Sequence, residues 1–386
     1  MGDFNLSITF PLYRPITFFP GTKGGSKEEG APTPTPTEPT THPFVLSTEV
    51  SGRGRYQYER NEADDERHRG RYQILAGLGL FYRGFRLDIG FASGNGPTAR
   101  SYNVTFDDVF STSYFLINEL AISWSYQDYI SLIFGKMVNP FYSPGDLIED
   151  RDLMPEGGAI RIRIPVNDET LLFNTGIFIL DEIKQEATVF NYAIQIGIQF
   201  NSDNHSYNHT VLASFRGFSN VFGWNPGDYS TGTNSRDETG RLATRFSLID
   251  VSAEFNFRIH ENVSLGLIGE FVVNPGTETN SIGFMTGLSL EAYWFRSTLS
   301  YRLLQTDSVP DFLPDSDAMS GGTNGGCFEA DLRFRILSSP ITVELGADYY
   351  WCRRLEPQPV IPITEHLLQL NVSLAWTDEF SLHASR

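Results

Sequence analysis

The chain has 386 residues, a formal net charge of −18 and 13% aromatic side chains. The acidic balance argues against nucleic acid as a partner, because a duplex would be repelled and no basic stripe is present. No run of 18 or more apolar residues occurs, which excludes a transmembrane helix. A slightly polar mean hydropathy still permits a membrane-spanning barrel, since only every second residue of a barrel strand meets lipid.

Residues 1–43 differ in composition from the rest of the chain. Phe4 to Tyr13 could form one short strand, and a tract rich in Pro and Thr begins at Ala31. Such a tract cannot bury enough apolar surface to fold. We therefore expect residues 1–43 to be a flexible N-terminal segment that serves as a leader or tether.

From residue 44 onward, the chain repeats segments in which apolar and polar side chains alternate. In residues 327–336, one face reads Phe, Ala, Leu, Phe, Ile and the other reads Cys, Glu, Asp, Arg, Arg. A period of two indicates a β-strand, because successive side chains point to opposite faces of the ribbon. The pattern predicts sixteen strands, at 44–60, 70–83, 85–94, 113–126, 129–138, 157–166, 170–181, 189–201, 206–217, 245–259, 262–273, 281–292, 295–305, 325–337, 341–353 and 365–377.

The connections between these strands alternate between tight and long. Tight turns such as 82–84 and 166–168 follow the even-numbered strands, and long connections such as 95–112 and 218–244 follow the odd-numbered ones. Transmembrane barrels have short periplasmic turns and long extracellular loops. The sequence therefore predicts an all-β fold, a transmembrane antiparallel β-barrel of about sixteen strands over 44–380. Both termini would be periplasmic, and residues 381–386 would form a C-terminal extension.

Three features favour lipid over water on the apolar face. Sixteen strands in one soluble sheet would be unusual, and reversing the fourteenth strand would place Arg333 and Arg335 in lipid at a cost of roughly 2–4 kcal/mol each. Aromatic residues also gather at the strand ends, as in the two girdles of a membrane barrel. The girdle residues are Tyr56, Tyr58, Tyr114, Phe115, Tyr349 and Trp351 on one rim, and Tyr82, Phe85, Trp124, Tyr126, Tyr129, Tyr293, Phe295 and Trp376 on the other.

The strongest local motif follows the fifth strand. It begins Gly-Lys-Met-Val-Asn-Pro-Phe-Tyr at residues 135–142, continues through an acidic stretch and ends Pro-Glu-Gly-Gly at 155–158. This segment closely resembles a family of bacterial outer-membrane porins with a G-K-x-x-N-P-F stretch, an acidic loop and a P-E-G before the next strand. The matching positions are Gly135, Lys136, Asn139, Pro140, Phe141, Asp150, Asp152, Pro155, Glu156 and Gly157.

The resemblance extends loosely over residues 44–380 and implies a passive diffusion channel of sixteen strands in the outer membrane, assembled as a homotrimer. The chain differs from the family pattern at Glu149, where an aromatic residue is common. An outer-membrane barrel must be exported, yet the first residues contain no secretory signal. We expect the numbering to begin after a cleaved signal, or the gene start to be truncated.

In sixteen-stranded porins, the loop after the fifth strand folds into the lumen and narrows it. We expect its acids to face inward-pointing arginines on the walls and to form a constriction whose charges tune ion passage. Local pairing that only braces the loop is the alternative. The net charge favours a mild preference for cations. The constriction candidates are Asp146, Glu149, Asp150, Asp152 and Glu156 on the loop, and Arg53, Arg55, Arg86, Arg161 and Arg163 on the walls.

The two cysteines lie on adjacent predicted strands. If Ser338 pairs with Ile341 across the turn at 339–340, the same register places Cys327 opposite Cys352 on the lumen face. An exported location is oxidising and favours a disulfide, which would stabilise the hairpin by about 3 kcal/mol. Two free thiols, or a β-bulge that shifts the register by one residue, are the alternatives.

Catalytic and metal-binding motifs do not emerge from the sequence. His205 and His209 are four residues apart, a spacing that converges on a metal from a helix but not from a strand. Nucleophile elbows, Walker loops and zinc spacings are lacking. We therefore expect no enzyme activity, no cofactor and no metal site.

The predicted function is passive diffusion of ions and small hydrophilic solutes through a barrel embedded in outer-membrane lipid. One alternative is a substrate-specific channel, in which lumen aromatics and rows of arginine form a binding track. A second alternative is a structural barrel, plugged to ions, whose N-terminal segment contacts the cell wall or a partner.

Overall fold

The computed structural model describes residues 44–61, 65–96, 101–106, 112–182, 187–202, 206–318, 325–338, 341–355 and 364–382. Within these ranges one antiparallel sheet contains sixteen long strands and a two-residue strand, β4. The strands are β1 Phe44–Asn61, β2 Glu66–Tyr82, β3 Phe85–Gly94, β4 Val104–Thr105, β5 Tyr114–Tyr126, β6 Ile130–Lys136, β7 Glu156–Val166, β8 Glu169–Asp181, β9 Val189–Asn201, β10 Tyr207–Ser219, β11 Ser247–His260, β12 Val263–Val273, β13 Ile282–Ala292, β14 Phe295–Leu304, β15 Gly325–Ser338, β16 Ile341–Arg354 and β17 Thr364–Leu382. A single turn of 3₁₀ helix, Gly227–Tyr229, lies in the long connection after β10.

The sheet closes on itself because β1 pairs with both β2 and β17. The β1–β17 ladder runs from Phe44 opposite Leu382 to Asn61 opposite Glu365. Closure removes the free sheet edges that would otherwise expose unpaired backbone groups. The predicted sixteen-stranded antiparallel barrel is therefore confirmed. The predicted N-terminal segment, residues 1–43, lies outside the described residues.

The predicted strand ends differ from the observed ones in places where the apolar alternation stops but pairing continues. Strand β2 begins at Glu66, four residues before the predicted start, with a charged stretch that still pairs with β1. Strand β17 continues to Leu382, so it includes two residues of the predicted C-terminal extension. Strand β4 was not predicted, because two residues are too few to show a period.

The two faces of the wall have opposite characters. Apolar side chains such as Ile122, Phe134 and Ile196 point outward and are more than half exposed. Polar side chains such as Gln195 and Gln369 point inward and are almost fully buried. An apolar exterior around a polar interior is the arrangement of a membrane barrel. Among the described residues, no helix has the length and apolar character to cross a membrane.

The connections also separate into two ends. At the short-turn end, strands are joined by tight turns in which Arg83, Asn167 and Tyr293 have positive φ, as two-residue hairpin turns require. Phe44 and Leu382, the first and last described residues, lie at this end as well. The long connections lie at the opposite, long-loop end, and one of them turns into the lumen.

Candidate functional site: the narrowed lumen

Residues 137–155, which connect β6 to β7, form the inner loop. The loop is closed at its base by a hydrogen bond from the Met137 backbone N–H to the Pro155 carbonyl, at 3.0 Å. Gly135, just before the loop, has φ +114°, and an added Cβ would lie 2.2 Å from the Leu120 carbonyl oxygen. Only glycine accommodates this approach. Met137 and Phe141 then pack inside the wall of β5, β7, β8 and β9, against a cluster of small and aromatic residues: Ala121, Ala159, Phe178 and Ala193.

Two buried ion pairs attach the inner loop to β10 and β14. Arg302 of β14 donates to Asp146 at 2.5 Å, and Arg216 of β10 donates to Glu149 at 2.6 Å. Both arginine side chains are 4% exposed or less. Removing one member of such a pair would leave the other charge buried without a partner, which is strongly destabilising. Each intact pair therefore holds the inner loop against the wall. Asp146 and Glu149 thus connect the inner loop to β14 and β10.

The long connections 220–246 and 305–318, here called the upper loops, cover the inner loop from the long-loop end. Asp311 joins the two upper loops, because its carboxylate accepts the backbone N–H groups of Thr233 and Asn234. Under these loops, apolar side chains from the inner loop and from both upper loops form one buried cluster: Leu147, Ile148, Trp224, Leu242, Phe246, Phe312 and Leu313. The lumen beside β9 to β14 is therefore filled with packed protein.

Among the described residues, a cavity of about 530 Å³ lies beside β1, β2 and β15 to β17. Inward-facing arginines of β1 and β2, here called the arginine row, line one side. Acids from the inner loop and from the second upper loop also line the cavity. The arginine row is Arg53, Arg55, Arg67, Arg69 and Arg71, and the acids are Asp146, Asp150, Asp152, Asp315 and Asp317. The cavity lining as a whole contains ten acidic and seven basic side chains.

Members of the arginine row differ in their partners. Arg55 donates to Asp317 at 3.3 Å and to Asn371 at 2.7 Å, and Arg69 donates to Glu59. By contrast, Arg71 donates to the neutral acceptors Gln57, at 2.9 Å, and Ser101, at 3.4 Å. Arg53 donates to the neutral amide of Asn103 at 3.2 Å. Some arginines of the row are thus engaged in ion pairs, and others keep their charge available to the lumen.

The loop acids have shifted pKa values because little water surrounds them and because they are close together. Burial raises the pKa of Asp150 to about 8, and the neighbouring Asp152 adds repulsion in the same direction. Burial also raises the pKa of Asp152, although Arg53 and Arg55 oppose the shift. Asp146 behaves differently: burial acts to raise its pKa, but Arg302 and Arg151 together outweigh burial and lower the pKa below the ordinary value.

A family model described as "Putative porin" matches residues 40–239, just over half of the chain. The chain belongs to this porin family. Family membership confirms the predicted resemblance and identifies the barrel as a diffusion channel of the outer membrane. The comparison with curated proteins found no match.

Solved porin structures resemble this porin at low sequence identity. OmpF of Salmonella typhi, in complex with daunomycin, has a TM-score of 0.50 and 10% identity, with 86% of this chain and 97% of that chain covered. OccAB3 of Acinetobacter baumannii has a TM-score of 0.49 and 10% identity over 87% and 99% of the two chains. OccK2 (OpdF) of Pseudomonas aeruginosa has a TM-score of 0.48 and 12% identity over 86% and 98%. At these identities, the likeness to OmpF concerns the fold alone.

Half of the predicted constriction residues of this porin line one cavity. These are Asp146, Asp150, Asp152, Arg53 and Arg55. Arg161 and Arg163 line a second, smaller cavity beside Tyr142 of the inner loop. Among the described residues, no group of His, Cys, Asp or Glu side chains has a geometry that could hold a metal ion.

The other three predicted residues lie elsewhere. Glu149 does not line the cavity and forms a buried ion pair with Arg216 of β10. Arg86 pairs with Asp88 near the short-turn end, because β3 begins there. Glu156 lies on the outer face and pairs with Lys136 at 2.5 Å, because β7 already starts at this residue and its alternation points Glu156 outward with Ile160.

Several cavity residues were missed by the sequence analysis. Arg67, Arg69 and Arg71 alternate along β2 on the polar face, so their period of two would have identified them as inward-pointing. The anchors Arg216 and Arg302 carry the same signal on β10 and β14. Asp315 and Asp317 come from a long connection without a period, and only the folded position of the upper loop brings them to the cavity.

The two cysteines lie opposite each other, as the predicted register requires. Ser338 pairs with Ile341 and Cys327 pairs with Cys352, without a register shift between them. In the structure, the two Sγ atoms are bonded. The turn at 339–340 lies outside the described residues. The bond faces inward at the base of the second upper loop, where it packs against Ala318, Tyr350 and Leu367.

Proposed function

We propose that this porin lets ions and small hydrophilic solutes diffuse passively through a constriction between the inner loop and the arginine row. The observation that supports the proposal is the position of the inner loop. Its anchors to β10 and β14 fix it across the lumen, and the cavity beside β1 and β2 is left lined with charges. The concentration gradient is the driving force, and the protein contributes a passage of fixed size and charge.

The charges of the cavity favour cations over anions in this proposal. The cavity is lined by ten acidic side chains and seven arginines, and rings of acids are typical of cation-conducting pores. Because the pKa of Asp150 is about 8, this carboxyl contributes little negative charge to the cavity at neutral pH. The preference for cations should therefore be mild at pH 7 and stronger in alkaline solution.

A matched pair of variants tests the constriction. Asp152→Asn removes one negative charge from the cavity, whereas Glu156→Gln removes one from the outer face. In planar bilayers under a salt gradient, Asp152→Asn should shift the reversal potential toward anions, and Glu156→Gln should leave it unchanged. Equal reversal potentials in wild type and Asp152→Asn would reduce the inner-loop acids to a bracing role. A wild-type protein that passes no current would refute the channel constriction altogether.

The proposal includes an orientation and an assembly. Short turns are periplasmic in bacterial barrels, so the short-turn end and both chain termini would face the periplasm. The resemblance to porins favours a homotrimer in outer-membrane lipid, without cofactor or enzyme activity. A membrane-impermeant thiol reagent on intact cells should label Thr239→Cys in the first upper loop but not Arg83→Cys in a short turn. Labelling in the reverse order would contradict this orientation.

A further inference from the structure

Arg53 and Arg71 of the arginine row face the cavity, and neither forms an ion pair with an acid among the described residues. Arg71 is 9% exposed, and within the described part of the chain its guanidinium donates to Gln57 and Ser101. Within the same part, Arg53 donates to Asn103. Within the described residues, the Nε–H groups of both arginines lack an acceptor. Buried charged groups in proteins are normally paired, so this pair of guanidinium groups indicates a site where an anionic group is accepted from outside the chain.

The two arginines are close enough to act together. Arg71 lies directly opposite Arg55 in the β1–β2 ladder, which makes Arg53 its diagonal neighbour. Diagonal positions are about 7–8 Å apart, within the reach of long side chains. The intervening Arg55 is occupied by Asp317 and Asn371. Guanidinium groups bind carboxylates through parallel N–H donors, so a carboxylate is the anion that this pair fits.

An acid of the inner loop lies near Arg53 without forming an ion pair with it. Asp152 interacts electrostatically with Arg53 and Arg55, yet no described ion pair includes its carboxylate. The Tyr102 hydroxyl fixes the position of Asp152 by donating to its backbone carbonyl at 2.9 Å. A positive and a negative wall therefore face each other across a cavity whose volume lies in the range of small-molecule sites.

We infer that this part of the cavity is a binding site for small zwitterions of the amino-acid type, with the carboxylate on Arg53 and Arg71 and the ammonium group on Asp152. The inference rests on the proposed diffusion function and adds a solute class to it. A zwitterion enters with both of its charges already present, so it satisfies both walls at once. A neutral amide of the same size satisfies neither, and an anion satisfies only one.

Current block in planar bilayers tests the inference with three probes of similar size: alanine, which is a zwitterion, lactamide, which is neutral, and lactate, which is an anion. Alanine should reduce the single-channel ion current saturably, and lactamide should leave the current unchanged. Arg71→Gln and Asp152→Asn should each raise the half-blocking alanine concentration about tenfold, the equivalent of 1.4 kcal/mol of binding free energy. The control Arg86→Gln removes the same charge near the short-turn end and should leave that concentration unchanged.

Each contrary outcome has a distinct meaning. Equal block by alanine and lactamide would refute a charged site, and equal shifts in Arg71→Gln and Arg86→Gln would reduce the effect to general electrostatics. If lactate blocks the current as strongly as alanine does, the proposed contact between the ammonium group and Asp152 is refuted. These three outcomes leave the diffusion channel intact, whereas an absence of ion current in the wild type refutes the channel and this site together. Because Arg71 and Asp152 lie on opposite walls, poor assembly of one variant still leaves the other as a test.

Discussion

The two halves of the lumen use the same kinds of charged residue in different ways. Beside β9 to β14, Arg216 and Arg302 are paired with loop acids, and the space around them is filled by an apolar cluster. Beside β1, β2 and β15 to β17, the partners of Arg53 and Arg71 among the described residues are neutral groups, and a cavity remains. In the half filled by apolar packing, both arginines are held in buried ion pairs, whereas in the half with the cavity Arg55 and Arg69 are in ion pairs and Arg53 and Arg71 donate to neutral groups.

Removal of an ion pair that anchors the inner loop beside β9 to β14 should have the largest effect on stability and conductance. Arg302→Gln leaves Asp146 and Glu329 without their common partner, and breaking a buried pair in this way costs about 3–5 kcal/mol. We expect the inner loop to detach, with a larger and noisier single-channel conductance and a lower denaturation midpoint. Arg86→Gln, which breaks a partly exposed pair, should cost less than about 1 kcal/mol. Equal conductance in Arg302→Gln and wild type would show that the anchor does not hold the loop.

The disulfide lies in the half of the lumen that contains the cavity. It should affect the stability of the barrel rather than the ion selectivity of the channel. Alkylation without reductant, followed by mass spectrometry, should find neither Cys327 nor Cys352 modified. After reduction, the free energy of unfolding should fall by about 3 kcal/mol, with the reversal potential unchanged because no charge has moved. Two alkylated cysteines in the unreduced protein would show that the bond does not form.

The smallest expected effect is the pH dependence of selectivity. Because burial raises the pKa of Asp150 to about 8, this carboxyl is mostly protonated and neutral at pH 7, and it gains its negative charge as the pH rises through 8. The cation preference measured from the reversal potential should therefore increase between pH 7 and pH 9. Asp150→Asn, which is neutral at every pH, should lose this increase. An increase of the same size in Asp150→Asn would assign the titration to another group.

The wall of the barrel could be predicted from the sequence because its period of two is local. Each strand shows which side chains face lipid, and the turns set the register, so Cys327 opposite Cys352 followed from one tight turn. The interior depends on contacts between distant segments. Nothing in the sequence near Glu149 indicates Arg216 as its partner, and nothing near Asp317 indicates Arg55. Half of the predicted constriction residues therefore line the cavity, whereas Glu156 turned out to face outward.

The pairing of β1 with β17 has a consequence for biogenesis. The ribosome delivers β1 first, and its partner on one side is not made until almost the whole chain has been synthesised. Until then, the outward Ile, Leu and Phe side chains lack lipid, and the backbone of β1 offers an open template for intermolecular pairing. Cells must therefore shield the nascent chain during transit, and seam formation between first and last strands would be the step that commits it to the bilayer.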